Sequence, residues 1–171
     1  MKKAKRISEL GVLTALALIM FIVELQIPNP FPIPGIKLGL ANIITVYTIY
    51  RYKAWEAAAV AAVRITLGSV FAGNVSALIY SAAGSALCIL GMIILKRFIG
   101  EKHLWLASVF GAVLHNTGQI LAACFVLQTP QIFAYYPFLI VSGCLAGGFN
   151  GLCAQLVINR LNKIDLNNAD Q

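Results

Sequence analysis

PNPFPIPGIKLGLANIITVY, residues 28–47, decides whether this chain crosses a membrane five times or six. Pro28, Pro30, Pro32 and Pro34 each lack an amide donor and fix φ, so the first half of the stretch is extended rather than helical. Phe31, Ile33 and Ile36 make it too apolar for a freely solvated loop. Non-helical backbone at membrane depth is tolerated only where protein buries it or where it lines a cavity. The apolar run that follows, Leu38 to Tyr50, reaches about 20 Å as a helix, short of a hydrocarbon core roughly 30 Å thick. This helix is therefore predicted to begin below the outer surface, with its N-terminus facing a pocket and residues 28–36 folded over it as a lid.

The rest of the chain supplies the membrane. Of 171 residues, 60% are hydrophobic and 11% charged, and the mean hydropathy is +0.83, outside the range of ordinary globular domains. Runs long enough to span occur at about 8–27, 55–72, 75–95, 104–127 and 133–158. With the short run counted as a sixth, both termini fall on one side. That side then carries Lys2, Lys3, Lys5, Arg6, Arg51, Lys53, Lys96, Arg97, Lys102, Arg160 and Lys163, eleven of the thirteen basic residues. Cytoplasmic loops are enriched in Lys and Arg, so the expected fold is an all-α integral membrane protein, a compact bundle of six transmembrane helices with both termini cytoplasmic, in a bacterial cytoplasmic membrane. Five spans would leave Arg51 and Lys53 on the side of Lys37. The net charge of +7 is thus topological. A nucleic-acid partner is not expected, because the basic residues are spread over loops and termini rather than clustered on one face with base-reading partners.

The basic start and apolar stretch of MKKAKRISELGVLTALALIMFIVELQ resemble a secretory signal, but the apolar part is too long and no small-residue cleavage site follows it. It reads as a retained first helix. Cys88, Cys124, Cys144 and Cys153 all lie inside predicted spans and form no C-x-x-C pair, so neither a metal site nor a disulfide framework is indicated. No repeat or internal boundary divides the chain, which reads as a single transmembrane domain over 1–163 with a short polar tail, 164–171, that is expected to fray.

Charges and amides inside the spans mark the candidate site. A helix N-terminus favours an anion and disfavours a cation, yet Lys37 sits beside the start of the short helix. Either Glu24, at the outer end of the first helix, pairs with it, or Lys37 and the amides around Gly35 to Gly39 hold the anion of a ligand. Arg64 lies mid-span, where an ionised side chain costs about 2.5 to 3.5 kcal/mol or more unless paired or hydrated. A pair with Glu24, hydrogen bonds to helix carbonyls and a ligand anion are its open alternatives. In HNTGQ, His115 and Gln119 are four residues apart and share one helical face, with Asn116 beside them; the three read as a cavity wall rather than plain packing. Asn42 and Asn74 complete the set. Small-molecule sites in transport proteins are built from such mid-span polar groups. Gly143, Gly147 and Gly151 on the last helix, and Gly11 with Ala15 on the first, repeat small residues every four positions. Such stripes serve either internal packing or the docking of a second membrane protein.

PGIKLGLANI, an Arg in the next span and GAVLHNTGQ in the fifth resemble the family of small membrane proteins known as Gx transporters or as heptaprenyl diphosphate synthase component I, over roughly residues 8–158. That family is similar to the substrate-binding S components of energy-coupling-factor transporters. The resemblance implies six helices, an outward pocket under an extracellular loop, and a small-xxx-small stripe on the first helix that docks a transmembrane coupling subunit driven by ATPase subunits. Gly11 and Ala15 would form that stripe, with glycine where S components carry alanine.

The enzyme half of the family name meets a chemical objection. Prenyl diphosphate synthesis needs carboxylates to hold Mg²⁺ against a diphosphate, and the first aspartate here is Asp165. The chain also has no G-x-x-x-x-G-K-[ST] phosphate loop. It is expected to be no enzyme and to need no cofactor. The expected function is an S-component-like subunit that binds a small, anionic solute of the vitamin or cofactor class, such as a flavin or an isoprenoid or quinone precursor. In that reading Arg64 and Lys37 hold the acidic group, while Asn42, Asn74, His115, Asn116 and Gln119 supply hydrogen bonds. The alternative is a non-catalytic membrane accessory subunit of heptaprenyl diphosphate synthesis.

Overall fold

A computed structural model describes residues 3–27, 39–73 and 75–169. Lys37, Asn74 and the proline segment 28–36 lie outside the described residues. Six helices form among them: α1 Lys3–Gln26, α2 Asn42–Arg51, α3 Ala54–Ala72, α4 Val75–Leu95, α5 Leu104–Leu127 and α6 Tyr136–Ala169. Five of these are long and apolar enough to cross a membrane. The exception is α2, whose 10 residues cover about 15 Å.

Two hydrogen bonds fix the height of α2 against α1. At its start the Gly39 amide donates to the Glu24 carboxylate, and just past its end the Tyr52 hydroxyl donates to Glu9. Glu9 and Glu24 are separated along α1 by about 22 Å, so α2 and its flanking turns cover about two thirds of a hydrocarbon core. The helix is brought to a stop by the residue that follows α4. Lys96 Nζ donates to the carbonyls of Ile49 and Tyr50, meeting the unpaired acceptors and negative end of the helix dipole with a cation. The next helix starts at once, because the Glu56 carboxylate accepts the Lys53 amide and caps α3. In a left-handed conformation, Gly73 closes it.

The basic residues gather at one end of the bundle. There Arg6 forms a bidentate ion pair with buried Glu56, Arg51 donates to Asn162, and Asn162 donates to Glu101. The first residues of α1 and the last turns of α6 share this end. Past Lys163 α6 continues to Ala169; no proline or glycine follows Asn159 to stop it.

Packing divides the bundle into halves. Toward the basic end a core of Val46, Ile49, Tyr50, Ala57, Ala61, Cys88, Met92, Leu104, Ala154 and Ile158 fills the space. Beside this core, small residues let α5 and α6 meet backbone to backbone. A Cβ added at Gly147 or Gly151 would come within 3.0 Å of the α5 backbone, at Val109 or Trp105. The α6 glycine stripe is therefore internal packing. Its counterpart on α1 is not: Gly11 and Ala15 are exposed, a Cβ at Gly11 would meet nothing within 4 Å, and only Ala17 and Glu24 of α1 are buried.

Candidate functional site

Above the packed half, the helices enclose a cavity of about 90 Å³, room for several waters or a small polar group. Each helix supplies part of its wall. From α1 come Phe21 and Glu24, from the turn before α2 and its first residue Gly39 and Asn42, and from α3 Arg64, Ile65, Ser69 and Ala72. Ser81 of α4 and Ala112, His115, Asn116 and Gln119 of α5 line the next side, and Gly143, Ala146 and Asn150 of α6 close it. Glu24, Asn42, Arg64, His115, Asn116 and Gln119, singled out in the sequence, thus face one space, while Gly11 and Ala15 lie away from it on the outer face of α1.

Arg64 is 8% exposed, and its Nε is buried without a hydrogen-bond partner. Eight residues past Glu56, it stands about 12 Å from the basic-end ion pair. A guanidinium carries five donors and no acceptor, so an orphaned donor in a buried cation is costly to leave unmet. The obvious internal partner is committed elsewhere. Glu24 accepts the amides of Gly39 at 2.5 Å and Leu40 at 3.2 Å; among the described residues the ion pair formed is Arg6 with Glu56, and Arg64 and Glu24 attract only through space. Of the open alternatives for Arg64, neither contact pairing with Glu24 nor a hydrogen bond to a helix carbonyl forms among the described residues.

Gly39 is the hinge of this arrangement. Its φ of +67 lies in the left-handed region, where a side chain costs about 1 to 2 kcal/mol. The amides of Gly39 and Leu40 converge on one carboxylate, that of Glu24, and so form a concavity suited to an anion. The Gly39 carbonyl accepts a hydrogen bond from Asn150 Nδ2 at 3.0 Å. One turn therefore ties α1, α2 and α6 together. The sequence placed an anion at amides around Gly35 to Gly39; the amides of Gly39 and Leu40 hold the protein's own Glu24.

On the facing wall, glycines aim the polar groups. A Cβ on Gly84 would meet the His115 carbonyl at 2.7 Å and the His115 ring at 3.1 Å, and one on Gly118 would meet the Ala83 carbonyl at 2.7 Å. The crossing of α4 and α5 is thus glycine on glycine, which brings the His115 ring against α4. Asn116 is oriented by donating to the Leu139 carbonyl at 2.8 Å, leaving its own oxygen as an acceptor. Gly143 makes room for that amide, since a Cβ there would stand 3.0 Å from Asn116 Nδ2.

Asn150, Phe21, Ser69, Ser81 and the Gly84–Gly118 pair escaped the sequence reading. The run SAAGSA at 81–86 carried a signal for Gly84, because small residues mid-span mark close helix approach. For Asn150 and Gly39, which are 111 residues apart, nothing local announces the contact.

No curated protein and no solved structure matches the chain. The model of one family does, with the stretch that holds α2 to α5, most of α1 and the inward glycines of α6. A match over residues 13–157 places this chain in the family described as heptaprenyl diphosphate synthase component I.

Proposed function

We propose that this chain is the membrane-embedded, non-catalytic component of a heptaprenyl diphosphate synthase assembly, and that its cavity binds the acidic group of a small ligand. One observation carries the reading: a buried guanidinium with an unmet donor faces a cavity lined by hydrogen-bonding side chains. A planar fork of N–H donors matches a phosphate or carboxylate. Prenyl transfer itself falls to a partner chain, since no aspartate precedes Asp165 here and Mg²⁺ bound to diphosphate needs carboxylate oxygens. The chain crosses the cytoplasmic membrane six times with the basic end inside. Lys37 and Asn74 belong to the same ligand-binding set.

Native mass spectrometry of protein extracted from membranes tests this. A phosphate- or carboxylate-bearing small molecule is expected on the unsubstituted chain and not on Arg64→Met. An identical complement on both would refute it.

A second reading, an S-component-like transport subunit, draws on α1. Gly11 and Ala15 face outward, where a coupling subunit with its ATPases can reach them. Tagged protein that captures a prenyltransferase favours the first reading, and one that captures a coupling module favours the second. Gly11→Leu and Ala15→Leu should abolish only the latter capture.

A further inference from the structure

The cavity holds two places for negative charge, and one is already filled. Arg64 is the one that no protein group fills, 8% exposed with its Nε unmet. The other is the pair of amides at Gly39 and Leu40, which the Glu24 carboxylate occupies with both oxygens. Glu24 and Gly39 line the same cavity as Arg64. Asn150 holds the Gly39 carbonyl from α6, a tie on this turn that does not involve Glu24.

A carboxylate seated on amides and the positive end of a helix is a well-solvated ion, which explains why Glu24 is not drawn onto Arg64. It also explains what an incoming anion meets. A singly acidic ligand takes Arg64 and leaves Glu24 in place. A ligand with two linked acidic groups reaches the amides only by putting one group where Glu24 sits. We propose that Glu24 is a built-in stand-in for the second acidic group of a doubly anionic ligand, such as a diphosphate, which bridges Arg64 and the Gly39–Leu40 amides after displacing the Glu24 carboxylate. This rests on the cavity being a ligand site, and it assigns the class of ligand and an exchange step that keeps the empty site charge-balanced.

The exchange has a signature opposite in sign to that of a structural cap. Removing the Glu24 charge takes away the competitor for the amides and the like charge in contact with the group that sits on them, a group that a singly acidic ligand at Arg64 does not have. At the effective dielectric of a polar interior such a charge weakens anion binding by about tenfold or more.

The experiment titrates inorganic phosphate and pyrophosphate calorimetrically into the full chain in lipid nanodiscs. The unsubstituted chain is expected to bind pyrophosphate more tightly than phosphate. Glu24→Gln should tighten pyrophosphate about tenfold and phosphate by much less, and Arg64→Met should abolish binding of both. Weaker pyrophosphate binding in Glu24→Gln, or equal tightening of both probes, overturns the exchange while loss in Arg64→Met still supports the site. Pyrophosphate binding that is absent, or indifferent to Arg64→Met, overturns both. A measurement on the unsubstituted chain covers the case in which Glu24→Gln does not fold. With 13C-labelled glutamate, the carboxyl resonance of one of the four glutamates should move on saturation with pyrophosphate, and four unmoved resonances overturn the exchange.

Discussion

Gly118→Ala tests how the cavity wall is built. The added methyl would stand 2.7 Å from the Ala83 carbonyl oxygen and 2.8 Å from the Gly84 Cα. Ordinary contact begins at 3.4 Å, so α4 and α5 must separate by about 0.7 Å, and both obstacles are backbone that no rotamer change can move. A gap of that size forfeits about a quarter to a half of each dispersion contact across the crossing, and overpacking of this kind costs about 1 to 3 kcal/mol. Alanine returns up to about 1 kcal/mol through helix propensity. Net destabilisation of up to about 2 kcal/mol follows, together with weaker ligand binding as His115 and Gln119 shift. Gly11→Ala is the control, since its methyl meets nothing within 4 Å and keeps only the propensity gain. Unfolding by denaturant titration in mixed micelles reads both variants. If Gly118→Ala is as stable as Gly11→Ala, the glycine crossing is not what holds these helices together.

Two further outcomes follow from the opposite end of the bundle. Burial, and then the hydrogen bond to Glu9, push the Tyr52 phenol up to about 12, so its contribution to stability is complete below pH 10 and is lost as pH rises through about 12. The difference in ultraviolet titration between the chain and Tyr52→Phe should show one phenol ionising near that value, and a transition at pH 10 would refute the contact. In a background freed of Cys88, Cys124, Cys144 and Cys153, an impermeant thiol reagent applied to intact cells should label Pro130→Cys and spare Lys53→Cys and Gly100→Cys. Labelling at position 53 would sink the orientation proposed for the basic end.

Much of this was legible from the sequence because the membrane makes polarity informative. Arg64, His115, Asn116 and Gln119 stood out as costly groups inside apolar runs, and they line one cavity. The five long helices match the apolar runs to within a few residues at most of their ends. The faces of those helices were not legible. Lipid-facing and core-facing positions are equally apolar, so hydrophobic periodicity does not say which side of a span points inward. Leu145 is 72% exposed and Leu139 is 3% exposed on the same helix, and nothing in their chemistry separates them. The two small-residue stripes show the same blindness: equal in spacing, one packs on α5 and the other faces out.

What distinguishes the cavity half from the packed half is the size of the side chains at each level. Around the core, Ile49, Met92, Leu104 and Ile158 are buried completely or nearly so and fill the interhelical space. Around Arg64 much of the lining is Ser69, Ser81, Ala112, Gly143 and Ala146, too short to meet across the bundle. Helices held at a common distance by the core below cannot collapse onto such residues, so a void persists and polar groups turn into it. Replacing Ala112 or Ala146 with leucine would fill that void from the wall inward and displace whatever Arg64 is there to hold.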